Sequence, residues 1–355
     1  MAERPTQTLA ERILVTGGAG FIGSHAALRL LQEGLAVTIV DDLSCGNRGA
    51  IEALQKVGPV HFVAGDVGDR DLMRRVMREA GTQCVWHFAA LACVGESVEQ
   101  PLRYYRQNTA ASINLLSVMD ELNVDQLVFS STCATYGEPG PDVIPIHEAC
   151  PQRPINPYGR SKLLVEQAVE DLAIARQTRH QAFHAAILRY FNVAGSDPEG
   201  RLGEDHDPET HLIPICLDAA QGRREGVKIF GTDYPTPDGT CIRDYVHVSD
   251  LIDAHLVAMR SLGANASGPA VRAYNVGTGH GLSVRAVIDA CRVVTGTTFT
   301  VEEAARRPGD PPELRANPGR IESELGWKAS RPAVEEMVED AWRWRQRHPF
   351  GYRSD

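Results

Sequence analysis

A tyrosine and a lysine four residues apart, Tyr158 and Lys162, are the pair in this sequence whose types and spacing most directly offer chemistry. At i and i+4 they share one face of a helix. Asn156 and Pro157 ahead of them suit an N-cap and a first helical position, which places Tyr158 in the first turn. A free phenol, with a pKa of about 10, is a poor base at neutral pH. A nearby ammonium, a cationic group bound alongside and a helix amino terminus each favour the phenolate, so together they predict a tyrosine that can accept and return a proton. Thr132, at the end of Phe129-Ser130-Ser131-Thr132, is placed to orient a reacting hydroxyl. The competing reading is bland: Lys162 pairs with Glu166, one turn further along the same helix.

A second constellation decides what such a pair would work beside. Thr16-Gly17-Gly18-Ala19-Gly20-Phe21-Ile22-Gly23 lies between a predicted strand and a predicted helix. Gly17 permits a tight turn, Gly20 lets the backbone approach a pyrophosphate, and Gly23 allows close helix–sheet packing. The helix amino terminus, with Phe21 and Ile22 in its first turn, offers unpaired N–H groups to phosphate. Glycines also mark ordinary turns, but here an acid, Asp41, closes the next strand 18 residues beyond Gly23. A carboxylate there accepts hydrogen bonds from ribose hydroxyls and repels a 2′-phosphate, so the expected cofactor is NAD rather than NADP. Arg48 reads as a solvated loop charge.

The elements that must carry these residues alternate. Predicted strands are Ile13–Thr16, Ala36–Val40, His61–Ala64, Cys84–His87, Gln126–Ser131 and Ala185–Arg189, with helices over Phe21–Leu31, Asp69–Ala80, Pro101–Leu122 and Tyr158–Ala175 between them. Strands separated by helices of this length imply an α/β chain, a Rossmann-type doubly wound parallel sheet. After Asn192 the rhythm breaks into loops rich in Gly, Pro and Asp. Leu212–Gln221 and Val334–Arg345 read as helices there, and Arg243–Val248 and Ala273–Val276 as strands. The expected division is an NAD-binding domain over 11–191 and a smaller C-terminal substrate-binding lobe over 192–350, with segments near 240–262 returning to the first.

Bulk properties exclude other classes. The 355 residues carry a formal charge of −10, so no excess of positive charge is on hand for nucleic acid or an anionic membrane. Eight cysteines include no Cys-x-x-Cys pair, as expected for free thiols in a reducing compartment. Met1–Ala10 has no apolar core, and no run of about 18 apolar residues exists, so the expectation is a cytoplasmic chain without membrane spans. Gly203-Glu204-Asp205-His206-Asp207-Pro208-Glu209-Thr210-His211 invites a metal reading. Its spacing is not His-Glu-x-x-His, and Pro208 interrupts any helix that would align ligands, so no metal is expected.

The glycine loop, the strand-end threonine and Tyr158-x-x-x-Lys162 resemble the extended short-chain dehydrogenase/reductase family. Val94-Gly95-Glu96-Ser97-Val98, Arg189-Tyr190-Phe191-Asn192, Ile229 to Thr236, Ile242 to Val248 and Arg307-Pro308-Gly309-Asp310 are similar to its UDP-glucose 4-epimerases, and the similarity runs from Glu11 to Arg353. The resemblance implies reversible epimerisation at C4 of UDP-glucose and UDP-galactose. Tyr158 takes the 4-hydroxyl proton while a hydride passes to tightly bound NAD⁺, and the 4-keto sugar turns about its diphosphate and is reduced on the other face. On the cofactor side it assigns Asp66, Val67, Phe88, Ala89, Ala90 and the loop to Ala92, Asn108 and Phe191. On the substrate side it assigns Asn192, His211, Leu212 and Phe230, with Arg243 and Arg307 on the phosphates and Asp310 on the ribose. A homodimer through the Pro101–Leu122 and Tyr158–Ala175 helices is implied by the same likeness.

Three positions depart from the family pattern. Ala92 stands where many members have a lysine, His211 replaces an asparagine, and Leu314 occupies the place of a tyrosine that narrows the sugar pocket in some members. The leucine implies that UDP-GlcNAc and UDP-GalNAc also fit. Two rivals follow from the same residues. A 4,6-dehydratase would need an Asp-Glu pair after Thr132, where Cys133-Ala134 stands. A non-catalytic NAD-sensing protein would have no need of both Tyr158 and Lys162.

Overall fold

The computed structural model describes residues 10–264, 270–307 and 310–353. The reading of Met1–Ala10 therefore falls, apart from Ala10, outside the described residues, as does Pro308-Gly309 of the motif ending at Asp310. Among the described residues thirteen strands run in the order β1 Arg12–Thr16, β2 Ala36–Asp41, β3 Val60–Ala64, β4 Cys84–His87, β5 Gln126–Thr132, β6 His184–Tyr190, β7 Asn192–Ala194, β8 Gly226–Phe230, β9 Ile242–His247, β10 Val271–Val276, β11 Gly281–Ser283, β12 Thr300–Ala304 and β13 Glu313–Leu314. The α-helices are α1 Phe21–Gln32, α2 Arg48–Gln55, α3 Arg70–Ala80, α4 Val94–Glu99, α5 Pro101–Tyr104, α6 Ala111–Leu122, α7 Pro157–Thr178, α8 Leu212–Ala220, α9 Val248–Ala264, α10 Val284–Thr295, α11 Gly319–Leu325 and α12 Val334–Arg347.

Seven parallel strands form one sheet in the order β10-β6-β5-β4-β1-β2-β3. The central strands β1, β4 and β5 are apolar and buried on both faces, as a sheet covered by helices on each side requires. One face packs Ile13, Val15, Trp86 and Val128 against Ala26 and Leu30 of α1 and Leu251 and Met259 of α9. The other packs Leu14, Val85, Leu127 and Phe129 against α3, α6 and α7 through Met73, Leu115, Val165 and Val169. Strand order reverses between β1 and β4, and the crevice beyond the carboxyl ends at such a reversal is where doubly wound sheets bind ligands.

The chain's return to this sheet runs further than the 240–262 expected from sequence. α9 packs on β5 and β6, and β10 forms the sheet edge by pairing with β6, Val271 opposite Ala185. β9, by contrast, lies in the smaller sheet with β7, β11 and β13. Short strands such as β7, β11 and β13 carry too little periodicity to be assigned to either sheet from sequence. α8, α10 and α12 pack about a separate core containing Ile213, Leu217, Val287 and Met337. The single helix expected over Pro101–Leu122 is broken: α5 leads into a π-helical turn over Tyr105–Ala110 before α6 begins. All eight cysteines are free, and no helix among the described residues is long and apolar enough to cross a membrane.

Candidate functional site

The glycine loop turns where the sequence reading placed it. Gly17 has φ +72°, and a Cβ there would lie 2.6 Å from the backbone nitrogen of Ala89. A Cβ on Gly23 would lie 2.1 Å from the Gly17 carbonyl oxygen, so a side chain at Gly17 would push the β1 loop off the segment after β4, and one at Gly23 would pry the β1 loop from α1. α1 starts at an N-cap, Gly20, that has no side-chain hydrogen bond, leaving first-turn N–H groups for an anion. At the end of β2, Asp41 accepts from the Ala19 N–H at 2.9 Å and the Leu43 N–H at 2.8 Å. Each carboxylate oxygen keeps a further lone pair, while burial pushes the group above its ordinary pKa.

These groups open onto one cleft. It brings together Gly17, Gly20, Phe21, Ile22, Gly23, Asp41, Asp66, Val67, Phe88, Ala89 and Ala90 with Tyr158 and Lys162. A glycine cradle that side chains would fill, uncapped helix N–H groups and a carboxylate one strand away fit a dinucleotide. Two residues assigned to the cofactor by resemblance sit elsewhere. Asn108 is buried behind the wall, where its amide donates to the Leu91 carbonyl and to Ser161 Oγ, both at 3.0 Å, and accepts from the Leu91 N–H at 2.8 Å. It therefore fixes the Phe88–Ala92 loop against α7. Phe191 packs with Cys133, Tyr136 and Leu314 in a small core.

Asn156 caps α7 by accepting from the Gly159 N–H at 2.9 Å, and Pro157 takes the first helical position. Lys162 is buried, and its Nζ donates to the Ser130 carbonyl at 2.9 Å. It does not pair with Glu166, because that carboxylate is held by Arg189, with an N···O separation of 2.6 Å, and by Gln152 and Ser131. Burial brings the Lys162 ammonium down to about 7. The expectation that the protein's own groups lower the Tyr158 phenol needs correction. Desolvation pushes it up, with nearby Tyr190 adding to the rise, and the neighbouring Thr132 hydroxyl, which accepts from the Ala134 N–H at 3.1 Å, pulls it back.

The substrate-side residues gather as two cation pairs. The Arg307 guanidinium lies over the Phe230 ring, 3.8 Å from its centroid, and Arg243 is ion-paired with Asp310. The Arg243 charge partly offsets the burial that raises the thiol of Cys133, the residue after Thr132, which puts this pair near the end of β5. Asn192 starts β7 opposite Tyr245 of β9. His211 precedes α8, whose first residue is Leu212, but its imidazole is turned to Glu204 at 2.5 Å. Leu314 is buried beside Phe191 and does not line the dinucleotide cleft.

Residues 13–277 match the sequence profile of the NAD dependent epimerase/dehydratase family. The chain belongs to that family. It is 48% identical over 342 residues to a UDP-glucose 4-epimerase of Streptococcus mutans, covering 96% of this chain and 98% of that protein. It is 47% identical over 351 residues to a probable UDP-arabinose 4-epimerase of Oryza sativa subsp. japonica, covering 97% and 84% respectively. Among solved structures, the UDP-glucose 4-epimerase of Stenotrophomonas maltophila, with bound NAD and formylated UDP-arabinopyranose, superposes with a TM-score of 0.88. It is 39% identical and covers 96% of this chain and 99% of that one.

In this family member Leu91, in the loop assigned to the cofactor, also lines the cleft, together with residues to which sequence reasoning gave no cofactor role: Ser130, Tyr190, Gln107, Cys45 and His206. Tyr190 was within reach of the argument. It ends β6 directly opposite Thr132 on β5, and carboxyl strand ends are where the substrate edge lies; its hydroxyl contacts Ser130. No local pattern marks His206 or Gln107. The loop over Glu204–His211 also differs from expectation. One donor atom each from Glu204, His206, Glu209 and His211 lie within 4.8 Å of one another, brought together by loop bends rather than by the helix that Pro208 rules out.

Proposed function

We propose that the protein is an NAD-dependent UDP-sugar 4-epimerase that interconverts UDP-glucose and UDP-galactose. The carrying observation is the placement of Tyr158 in the same cleft as the glycine cradle, beside the end of β5 that carries Thr132, with Lys162 anchored to Ser130 instead of neutralised by Glu166. Bound NAD supplies the hydride acceptor and donor. Tyr158 removes the proton from the sugar 4-hydroxyl and later returns it, and Thr132 orients that hydroxyl. Lys162 supplies positive charge near the phenol. Arg243 and Arg307 hold the diphosphate while the 4-keto sugar turns, and Asp310 and Phe230 receive the nucleoside. Because the sugar ends at the oxidation level at which it began, NAD stays bound between turnovers.

A UDP-pentose is a second reading, favoured by the near-equal identity to the rice protein and the Streptococcus mutans protein. A homodimer accompanies either reading. Val98 and Leu102 on α4 and α5 and Leu164 and Ile174 on α7 are exposed apolar side chains, Leu102 to 74%. The deciding experiment incubates purified protein with UDP-galactose and no added cofactor, identifies the product by chromatography, and assays the denatured protein for released NAD. UDP-glucose with about one NAD per chain is the expected result. No product, with NAD present, would leave a dinucleotide-binding protein without this activity.

A further inference from the structure

Between β7 and α8 the chain folds two carboxylates and two imidazoles into one point. The Glu204 and Glu209 side chains are 6% and 7% exposed. His206 Nδ1 lies 3.2 Å from Glu204 Oε1 and 3.8 Å from Glu209 Oε2, and His211 Nδ1 lies 2.5 Å from Glu204 Oε1 and 3.8 Å from Glu209 Oε1. A tetrahedral ion with bonds of about 2.0–2.2 Å holds its ligand atoms about 3.3–3.6 Å apart, in the middle of that range.

Two buried carboxylates need two positive charges. Protonation of both imidazoles is one way to provide them. Protons, however, leave a defect: Glu209 Oε2 is buried with no hydrogen-bond partner, and 3.8 Å to His206 is too long to make one. A single divalent cation would supply both charges and satisfy that oxygen. It would also relax the close His211–Glu204 contact by about 0.8 Å to tetrahedral spacing.

We propose that Glu204, His206, Glu209 and His211 bind one first-row divalent cation of the zinc class. Two imidazoles with two carboxylates select such an ion over magnesium or calcium, which take all-oxygen shells. The intervening residues already tie the loop to the rest of the fold. Asn47 donates to the Asp205 carbonyl at 2.9 Å, and the Tyr352 N–H donates to the Asp205 carboxylate at 2.9 Å. His206 also lines the dinucleotide cleft, and His211 leads into α8. The cation therefore pins the rim of the cofactor cleft to the start of the first helix of the smaller lobe, a structural role separate from proton and hydride transfer.

The test uses tag-free protein with its NAD, dialysed against EDTA, equilibrated with zinc chloride, desalted and analysed by plasma mass spectrometry. Cobalt chloride serves as the spectroscopic probe. About one zinc per chain and the visible d–d absorption of four-coordinate cobalt are expected. Glu209→Gln and His206→Gln should each weaken zinc binding by at least about tenfold. Circular dichroism and NAD content confirm that each variant is folded, and His206, partly exposed, provides the tolerant substitution should Glu209→Gln fail. Substoichiometric zinc would overturn the proposal in favour of protonated imidazoles. So would zinc that both variants retain, which would place the ion elsewhere, on a thiol such as exposed Cys45.

Discussion

Arg189 grips Glu166 through Nε and Nη2, with the shortest N···O separation 2.6 Å, and both side chains are almost wholly buried. This pair, between the end of β6 and the middle of α7, occupies the acid that lies one turn beyond Lys162 on the same helix. The lysine is left to reach the Ser130 carbonyl instead. A structural ion pair thus leaves Lys162 unpaired with Glu166, as the role proposed for it requires.

Breaking that pair from one side should cost both stability and turnover. Arg189→Met leaves the Glu166 carboxylate buried and unpaired, a loss of about 3–5 kcal/mol. Urea unfolding should show it, with kcat reduced as Lys162 turns toward the freed acid. The double variant Arg189→Met/Glu166→Leu should recover most of the stability. If the single variant is as stable as wild type, the pair does not hold the network.

Tyr158→Phe removes the proton acceptor and leaves the ring in place against Tyr104, whose centroid is 6.4 Å away. Turnover should fall by about 10²–10⁴-fold, the usual contribution of a positioned acid–base group. NAD content should remain at the wild-type level. Full activity in this variant would remove the phenol from the mechanism and favour a chain that binds NAD for another purpose.

The parts of the site legible in the sequence are those fixed by local geometry. Gly17, Gly23 and Asp41 follow from a strand–turn–helix pattern, and Tyr158 with Lys162 from one helical turn and its cap. What was not legible depends on contacts between distant segments. Asn108 was assigned to the cofactor, but which way its amide turns is decided by Leu91 and by Ser161, 53 residues away, within a π-helical turn that no spacing predicts. The fate of Glu166 is set by Arg189 on another element. Likewise β10 joins the large sheet through β6, a pairing invisible to its own composition.

Asp41 should govern retention of the cofactor. Asp41→Ala deletes the ribose acceptor and also strands the Ala19 and Leu43 N–H groups that shape the turn. Hydrogen bonds to a charged group contribute about 1.5–3 kcal/mol, so NAD retention should weaken by at least about tenfold. The measurement is NAD released per chain after gel filtration. Co-purified NAD equal to wild type would show that the carboxylate serves the turn alone.

Sugar selectivity is tested by comparing kcat/KM for UDP-galactose, UDP-arabinose and UDP-GlcNAc. A pentopyranose lacks the C6 hydroxymethyl group and forfeits its contacts, worth about 1–3 kcal/mol for a small group, so about 10–200-fold preference for UDP-galactose is expected. UDP-GlcNAc should also turn over if Leu314 leaves room where a tyrosine would not. Preference for UDP-arabinose would assign the chain to the pentose reading, and inertness toward UDP-GlcNAc would dismiss the role given to Leu314.

Lys162 makes stability depend on pH in a defined window. Its pKa is about 7 in the folded protein, against an ordinary value of 10.5, because burial penalises the ammonium. Between those values the unfolded chain binds the proton and the folded one releases it, so raising the pH stabilises the folded state, by up to about 1.4 kcal/mol per pH unit. Below about pH 7 both states hold the proton and the slope vanishes. Lys162→Met has no such group, so its stability relative to wild type should be greatest at low pH and decline as pH rises through that window. Urea midpoints of the two proteins at several pH values measure the difference. A gap that stays constant from about pH 7 to 10 would mean that Lys162 stays charged in its buried position, held so by Ser130 and its surroundings.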